Sequence, residues 1–368
     1  MENVKKTALF GAHEKSGGKV IDFAGWALPV QYEGLISEHE AVRNKAGIFD
    51  VSHMGEVDVK GPEAFDFVQN LTTNDISVLQ NNQVMYGLMC YPDGGVVDDL
   101  LTYKFDDQHF YLVINASNVD KDFQWMKDNK NNYKVELTNL SDQVSEVALQ
   151  GPKAQEILQK LTDTNLDEVK FFFCKRDVNI AGINCLISRT GYTGEDGFEI
   201  YAANKDIETV WDKLMEAGKD LGLKPCGLGC RDTLRFEATL PLYGNEISKD
   251  ISPLEAGLGI FVKLTKENFI GKDALVKQKA EGLKRKVVGF EMIDKGIPRH
   301  GYEAAVDGKV IGVVTTGYMS PTLKKNIGLA LVDANYAELG TKIDIIVRNK
   351  PLKAEVISKK FLTKNYKK

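Results

Sequence analysis

Two strand-like runs joined by a glycine-rich turn constrain this chain most. Val84-Met85-Tyr86-Gly87-Leu88-Met89-Cys90-Tyr91 leads into Pro92-Asp93-Gly94-Gly95, and Val96 to Phe105 resumes the strand pattern. Asp-Gly and Gly-Gly supply the positive φ angles that tight hairpins need, so the two runs are expected to pair antiparallel. Strand side chains alternate, which sends Asp98 and Asp99 to opposite faces. Asp99 shares its face with Val97, Leu101 and Tyr103, while Asp98 shares its face with Val96, Leu100, Thr102 and Lys104. Asp99 is therefore expected in the more apolar setting, where a charged carboxylate is costly unless something compensates it. A compensating cation or ligand would make a functional site, and the alternative is a solvated acidic pair beside a turn.

The chain has 368 residues, 43% hydrophobic and 27% charged, which is ordinary for a soluble globular protein. That length predicts about two or three domains with sizeable cores. A net charge of −5 provides no global basic field for nucleic acid. Lysines gather near the end (Lys359, Lys360, Lys364, Lys367, Lys368), a pattern expected of a solvated tail or of a surface meeting an acidic partner. Residues 1–19 have no apolar core, so neither a signal nor a transit peptide is expected. No apolar run approaches the ~18 residues of a membrane span. The five scattered cysteines (Cys90, Cys174, Cys185, Cys226, Cys230) fit a reducing cytoplasm rather than a disulfide framework.

Along the chain, strand and helix patterns alternate irregularly up to about residue 270. Val20–Tyr32 reads as strand and loop. A helix is expected over Gly34–Ala46 with Gly47 as its stop, and strand again from Ile48 to Val59. Helices are expected at 62–71, 121–130, 152–161, 207–218 and 228–238. Strands are expected at 144–150, 177–180, 183–188 and 198–201, and residues 84–117 read as a three-stranded meander. Beyond 270, short strand-like segments at 286–293, 305–316, 327–332, 342–348 and 351–358 predict a separate antiparallel β-domain. The fold class is α+β.

Several chemistries lack their fingerprint. No Gly-x-Gly-x-x-Gly opens a helix, Asp232 standing where the third glycine after Gly227 and Gly229 should be. No P-loop and no Gly-x-Ser-x-Gly elbow occurs. Ser52 and His53 are neighbours and would face apart on a strand, which argues against a triad. The histidines show no paired spacing, and Cys226 and Cys230, four apart without a second pair, are expected as small core residues. No metal is expected.

Four further segments could carry chemistry. Ser52-His53-Met54-Gly55 enters a strand, with Met54 able to line a pocket or pack a core. Arg189 to Ile200 carries glycines at 191, 194 and 197, which permit close backbone approach, and a Glu199 that faces away from Phe198 and Ile200. That segment is either a binding loop or an acidic hairpin with an outward glutamate. Arg231 and Arg235 share a helical face, by default a surface ion-pair position. Pro298-Arg299-His300-Gly301 is a cationic turn, by default solvated.

Taken together, the motifs resemble one family. Phe23-Ala24-Gly25-Trp26, Leu28-Pro29-Val30-Gln31-Tyr32, Phe49-Asp50-Val51-Ser52-His53-Met54 and Gly94-Gly95…Asp98-Asp99-Leu100 occur in order. Gly191-Tyr192-Thr193-Gly194-Glu195-Asp196-Gly197, Arg231-Asp232…Leu234-Arg235 and Ser320-Pro321-Thr322-Leu323-Lys324-Lys325-Asn326-Ile327 follow them. The chain thus resembles the T-proteins of the glycine cleavage system, tetrahydrofolate-dependent aminomethyltransferases, over essentially its whole length.

The resemblance implies a three-domain cloverleaf around a central folate channel. Residues 1–51 with 140–226 would form the first domain, 52–139 with 227–255 the second, and 270–368 an antiparallel β-domain. It implies transfer of a one-carbon unit from the S-aminomethyl lipoyl group of the H-protein to tetrahydrofolate, with the P- and L-proteins as functional partners. The enzyme is expected to be a cytoplasmic monomer needing neither metal, nucleic acid nor membrane. Carried over by motif, Asp99 is the catalytic carboxylate and Glu199 the pterin ligand, whose carboxylate can accept from an amino group and a ring N–H. Tyr111, Tyr192, Arg231 and Tyr366 match folate contacts, and Arg299 matches a basic residue near the folate tail or lipoyl entrance. Met54, Tyr86 and Val113 match pocket walls. The alternatives are a folate-dependent demethylase on the same scaffold and a non-catalytic folate-binding protein.

Overall fold

The structure, a computed structural model, describes residues 4–367. It contains three main β-bodies and a small three-stranded sheet from the N-terminal segment, Lys5–Lys6, Trp26–Gln31 and Lys19–Phe23.

The first main sheet runs in the order Cys174–Ile180, Ile183–Ser188, Gly197–Ala203, Val144–Gln150, Ala46–Asp50, Leu223–Pro225. All neighbours are antiparallel except the last pair. Ile48, Leu149 and Ile200 point into a core with Ile157, Trp211 and Leu214. The latter come from the helices Ala154–Gln159 and Ile207–Gly218, whose apolar residues recur at helical spacing. On the opposite face, Ser188, Glu199, Ala148 and Phe49 lie in one cross-strand row. The helices Leu35–Asn44 and Leu228–Glu237 cover part of that face through Val42, Cys230 and Leu234. Gly47 is not a helix stop. The helix ends at Asn44, and Gly47 sits within the next strand, where a Cβ would stand 2.5 Å from Val42 Cγ2 and 2.6 Å from Cys226 Sγ.

The second sheet, order Gln83–Cys90, Val96–Asp106, His109–Ile114, Gly55–Lys60, Glu136–Asn139, is antiparallel throughout and contains the expected hairpin and meander. One face packs Leu100, Leu112 and Ile114 against Phe67, Val68 and Met126 of the helices Ala64–Leu71 and Val119–Asp128. The other face looks toward the first sheet. There Val84, Tyr103, Tyr111 and Val113 meet Cys174, Leu186 and Tyr201, and Val84 N donates to Phe172 O at 2.8 Å. Both faces of this sheet are therefore covered.

The third body is a closed barrel of Arg285–Met292, Asn326–Asp333, Lys309–Met319, Glu303–Val306, Lys342–Val347 and Lys350–Ile357. The antiparallel β-domain is borne out, with one difference: the run 305–316 is divided by a turn at Asp307-Gly308, both with positive φ. The helix Lys272–Glu281 precedes the barrel where no element was expected; it buries only Leu275, so its sequence carries little helical periodicity. Glu237 holds the barrel to the first body. It accepts from Thr322 N at 3.0 Å, Thr322 Oγ1 at 2.6 Å and Arg43 at 3.0 Å. The Ser320-Pro321-Thr322 motif is thus a docking element.

Candidate functional site

The hairpin positions the two adjacent aspartates. Gly94 takes φ +89° in its turn, and a Cβ on Gly95 would stand 2.0 Å from Lys249 O, so the 248–250 loop packs directly on the turn. Alternation then sends the two carboxylates to opposite faces, as the spacing requires. The setting of each differs from expectation. Asp98 is the fully buried one, because its face is the helix-covered core; Asp99 looks onto the seam between the two sheets and is half-buried. Periodicity alone could not foresee that both faces are covered.

Asp99 Oδ2 accepts from the Tyr86 hydroxyl at 2.9 Å, and Oδ1 accepts from Asn115 Nδ2 at 2.8 Å. Burial, then the charge of Asp98, pushes the Asp99 carboxyl up to about 7, while the bonds from Tyr86 and Asn115 work the other way. Tyr86 is itself held by Phe261, ring edge on face at 4.7 Å. Asp98 accepts from Asn115 N at 3.1 Å, Asn115 Nδ2 at 2.8 Å and Asn118 Nδ2 at 3.0 Å.

Across the seam, Glu199 faces inward and is buried, which removes the outward-hairpin reading. It accepts a bond from Thr190 Oγ1. Burial pushes its carboxyl up, opposed by Thr190 and by the charge of Arg231. Gly191 and Gly197 hold the loop against Gln150, where any Cβ would stand 2.6 Å or less from Gln150 atoms. Two further carboxyls that sequence reasoning did not single out share the seam. Glu56 lies opposite Val113 and Glu146 opposite Tyr201. Burial raises both well above the ordinary range, and both oxygens of Glu56 lack a hydrogen-bond partner. Met54, Tyr111 and Val113 line the same cluster.

Arg231 stands 4.7 Å over the Tyr192 ring, whose hydroxyl donates to Pro241 O. Its charge and burial also bear on His53, where burial first and Arg231 second hold the imidazole down to about 4. Arg235 is no surface residue: it is 1% exposed and ion-paired to Glu246 at 2.9 Å and Asp232 at 2.6 Å. The helix face it shares with Arg231 is turned inward: Arg235 also reaches Thr316 of the barrel at 3.1 Å, and Arg231 the Tyr192 ring. Beside Pro241 and Leu258 lies a cavity of about 560 Å³, bounded also by Glu246, Val287, Lys359 and Lys364. Leu258 in turn packs with Tyr86 and Leu88, so the cavity abuts the Asp99 neighbourhood.

Two matched residues lie apart from this constellation. Arg299 is exposed and sits 5.3 Å over the Tyr318 ring on the barrel. Tyr366 stacks on Phe171 at 4.4 Å, where the C-terminal segment crosses to the first sheet and Asn365 N donates to Gly194 O. Among the described residues, Glu38, Cys226 and Cys230 lie close enough to hold a metal. Glu38, however, already accepts from the backbone N–H groups of Tyr32, Gly34 and Gly227.

The comparisons agree with one another. The GCVT N-terminal domain matches residues 9–266, and the glycine cleavage T-protein C-terminal barrel domain matches 285–362. An aminomethyltransferase of Alkaliphilus oremlandii is 70% identical over 368 residues, all of both chains. One of Thermoanaerobacter pseudethanolicus is 68% identical over the same span. The crystal structure of the glycine cleavage system aminomethyltransferase T from Bartonella henselae is similar with a TM-score of 0.92 at 31% identity, covering 99% of this chain and 100% of that one. No helix among the described residues is long and apolar enough to cross a membrane.

Proposed function

From the premise that the chain belongs to the glycine cleavage T-protein family and acts as its aminomethyltransferase, we propose that its donor is the lipoylated H-protein and its acceptor tetrahydrofolate. In the transfer the carbon–sulfur bond to the lipoyl group and the carbon–nitrogen bond to the amino group break, and carbon bonds form to N5 and N10 of tetrahydrofolate. S-aminomethyl-dihydrolipoyl H-protein and tetrahydrofolate give 5,10-methylenetetrahydrofolate, ammonia and dihydrolipoyl H-protein. The P- and L-proteins would supply and reoxidise that lipoyl arm.

Tetrahydrofolate would supply the two nitrogens that take up the one-carbon unit, N5 of the reduced pterin ring and N10 of the aminobenzoyl group. The residues present suit it. Glu199 is a buried carboxylate with a bond from Thr190, which leaves lone pairs for the amino group and ring N–H of a pterin edge. The Arg231 guanidinium and Tyr192 ring form a flat cationic wall beside it. Met54, Tyr86, Tyr111 and Val113 would supply apolar walls that exclude water. The 560 Å³ cavity, whose lining residues Leu258 and Pro241 touch Tyr86 and Tyr192, would give a route for the lipoyl arm or folate tail, with Lys359 and Lys364 in its lining. Arg299 would serve near the folate tail or lipoyl entrance, and Tyr366 would be a folate contact, as the family resemblance implies.

The observation that carries the assignment of Asp99 is its half-buried carboxylate, bonded by Tyr86 and Asn115 and raised to about 7. A carboxylate tuned near neutrality can take or hold a proton at the reacting nitrogen, and its charge stabilises positive charge developing on the transferred carbon. Incubating the protein with tetrahydrofolate and aminomethylated, lipoylated H-protein should release methylenetetrahydrofolate and ammonia in equal amounts. No product, with turnover of a methylamine or methylsulfonium donor instead, would assign a demethylase.

A further inference from the structure

The strand that carries Asp99 has a second carboxyl pair on its other face. Asp98 and Asp122 are both 0% exposed, Asp98 on the Val96–Asp106 strand and Asp122 on the Val119–Asp128 helix packed over it. Asn118, the residue before that helix and one turn ahead of Asp122, donates to Asp98 Oδ1 at 3.0 Å, which lays Asp122 over the same carboxyl. Three N–H donors from Asn115 and Asn118 point at Asp98. Neither oxygen of Asp122 receives a hydrogen bond. Two anions so placed would repel in a medium that solvates neither, and one of them takes a proton unless a cation intervenes. The titratable groups facing the pair are Lys121, Tyr243 and, across the strand, Asp99 and Tyr86. Lys121 Nζ approaches Asp122 Oδ1 to 2.9 Å but without hydrogen-bond geometry. Its amine is turned to Val97 O and the Tyr243 ring.

We propose that Asp122 bears a proton and donates it to Asp98, so that the pair holds a single negative charge beneath Asp99 and serves as a positioning unit for it. The donors are distributed accordingly: the residue at which three N–H donors are aimed is the anion, and the residue touched only by the misaligned Lys121 ammonium is the acid. Burial first and Asp98 next raise the Asp122 carboxyl to about 10, in keeping with that assignment. Asn115 transmits the arrangement, because its Nδ2 reaches Asp98 Oδ1 and Asp99 Oδ1, each at 2.8 Å. The unit therefore fixes the orientation of the Asp99 carboxylate and supplies the like charge that keeps it basic.

The inference rests on Asp99 as the working carboxylate, and its test separates the two. In Asp122→Asn a carboxamide can donate in place of the acid. The acid limb of the kcat–pH profile should then keep its position, whereas Asp98→Asn should lower that limb by about one pH unit. Asp122→Leu, which donates nothing, should cost roughly 10- to 100-fold in kcat, and Asn should restore most of it. Infrared difference spectra at pH 8 add a readout independent of turnover. Parent minus Asp122→Asn should contain the C=O stretch of one protonated carboxylic acid. In Asp98→Asn that band should persist at a shifted frequency, so the result stands even if Asp122→Asn does not fold. A limb that moves in Asp122→Asn but not in Asp98→Asn, or a band lost in Asp98→Asn, would overturn the proposal. Full activity in Asp99→Asn would instead reject the role of Asp99, with the infrared bands still locating the proton.

Discussion

A carboxylate is defined by what surrounds it, and three of them here are predicted to behave differently: two under titration and one toward the ligand. Asp99 is pushed up to about 7 by burial and Asp98, so it is protonated and inactive as a base below that pH. Activity should rise as pH increases through 7, and Asp99→Asn should lower kcat about 10²- to 10⁴-fold while folate affinity by calorimetry survives. Glu199→Ala should do the reverse, weakening tetrahydrofolate binding by roughly 2–3 kcal/mol, the scale of a hydrogen bond to a charged group; unchanged binding would reject its pterin role. Glu56 tests stability. Its carboxyl is raised by burial above the ordinary 4.5, so folding takes up a proton and stability falls as pH rises above that value. Glu56→Gln removes the titration, and its melting temperature relative to the parent should improve steadily from pH 5 to pH 8. Of these residues, Asp99 and Glu199 were legible because they stand in unusual company, an acidic doublet in a strand and a glycine-spaced loop. Asn115, Glu56 and Glu146 were not. An asparagine after a strand or a glutamate in an alternating strand reads as solvent-facing until a second sheet covers it.

At the level of elements, the hairpin was legible because turn chemistry is local. Asp93-Gly94-Gly95 permits few backbone paths, and the strands on either side pair in the register the turn dictates. Gly95 carries a further constraint that is not local, its contact with the backbone of Lys249. Gly95→Ala must displace that carbonyl, and a loss of about 1–3 kcal/mol is expected in urea unfolding, the range for overfilled packing. A variant as stable as the parent would mean that the 248–250 loop yields freely. The misread elements share one cause. Gly47 resembles a helix stop, yet it is small because Val42 and Cys226 crowd the strand it belongs to. The helix Lys272–Glu281 buries one leucine, so tertiary placement rather than periodicity decides it. Likewise Arg231 and Arg235 read as a surface pair because helical spacing reveals a shared face and not which way the face points.

On the scale of the whole molecule, the seam exists because sheets that are apolar on both faces need cover on both, and each supplies half of the other's. What sequence could not reveal is how the barrel is held against them, since that attachment is polar and joins residues as far apart as His39 and Thr322, 283 positions along the chain. Glu237 is its centre. His39 approaches it at 3.2 Å and Arg43 at 3.0 Å from one helix, while Ser320 and Thr322 bond it from the barrel. Burial opposes the anion, but the bonds from His39, Ser320 and Thr322 prevail and hold the carboxyl down to about 2. The linkage sign is therefore opposite to that of Glu56. A carboxyl depressed from 4.5 contributes stability that is complete above pH 4.5 and is lost as pH falls toward 2. The depression corresponds to about 3 kcal/mol at neutral pH. Glu237→Gln should accordingly unfold at lower urea than the parent at pH 7, by about that amount, and the gap should narrow as pH is lowered from 5 to 3. A constant gap across that range would mean that Glu237 docks the barrel by shape and neutral bonds alone, and its charge would then have no part in holding the three bodies together.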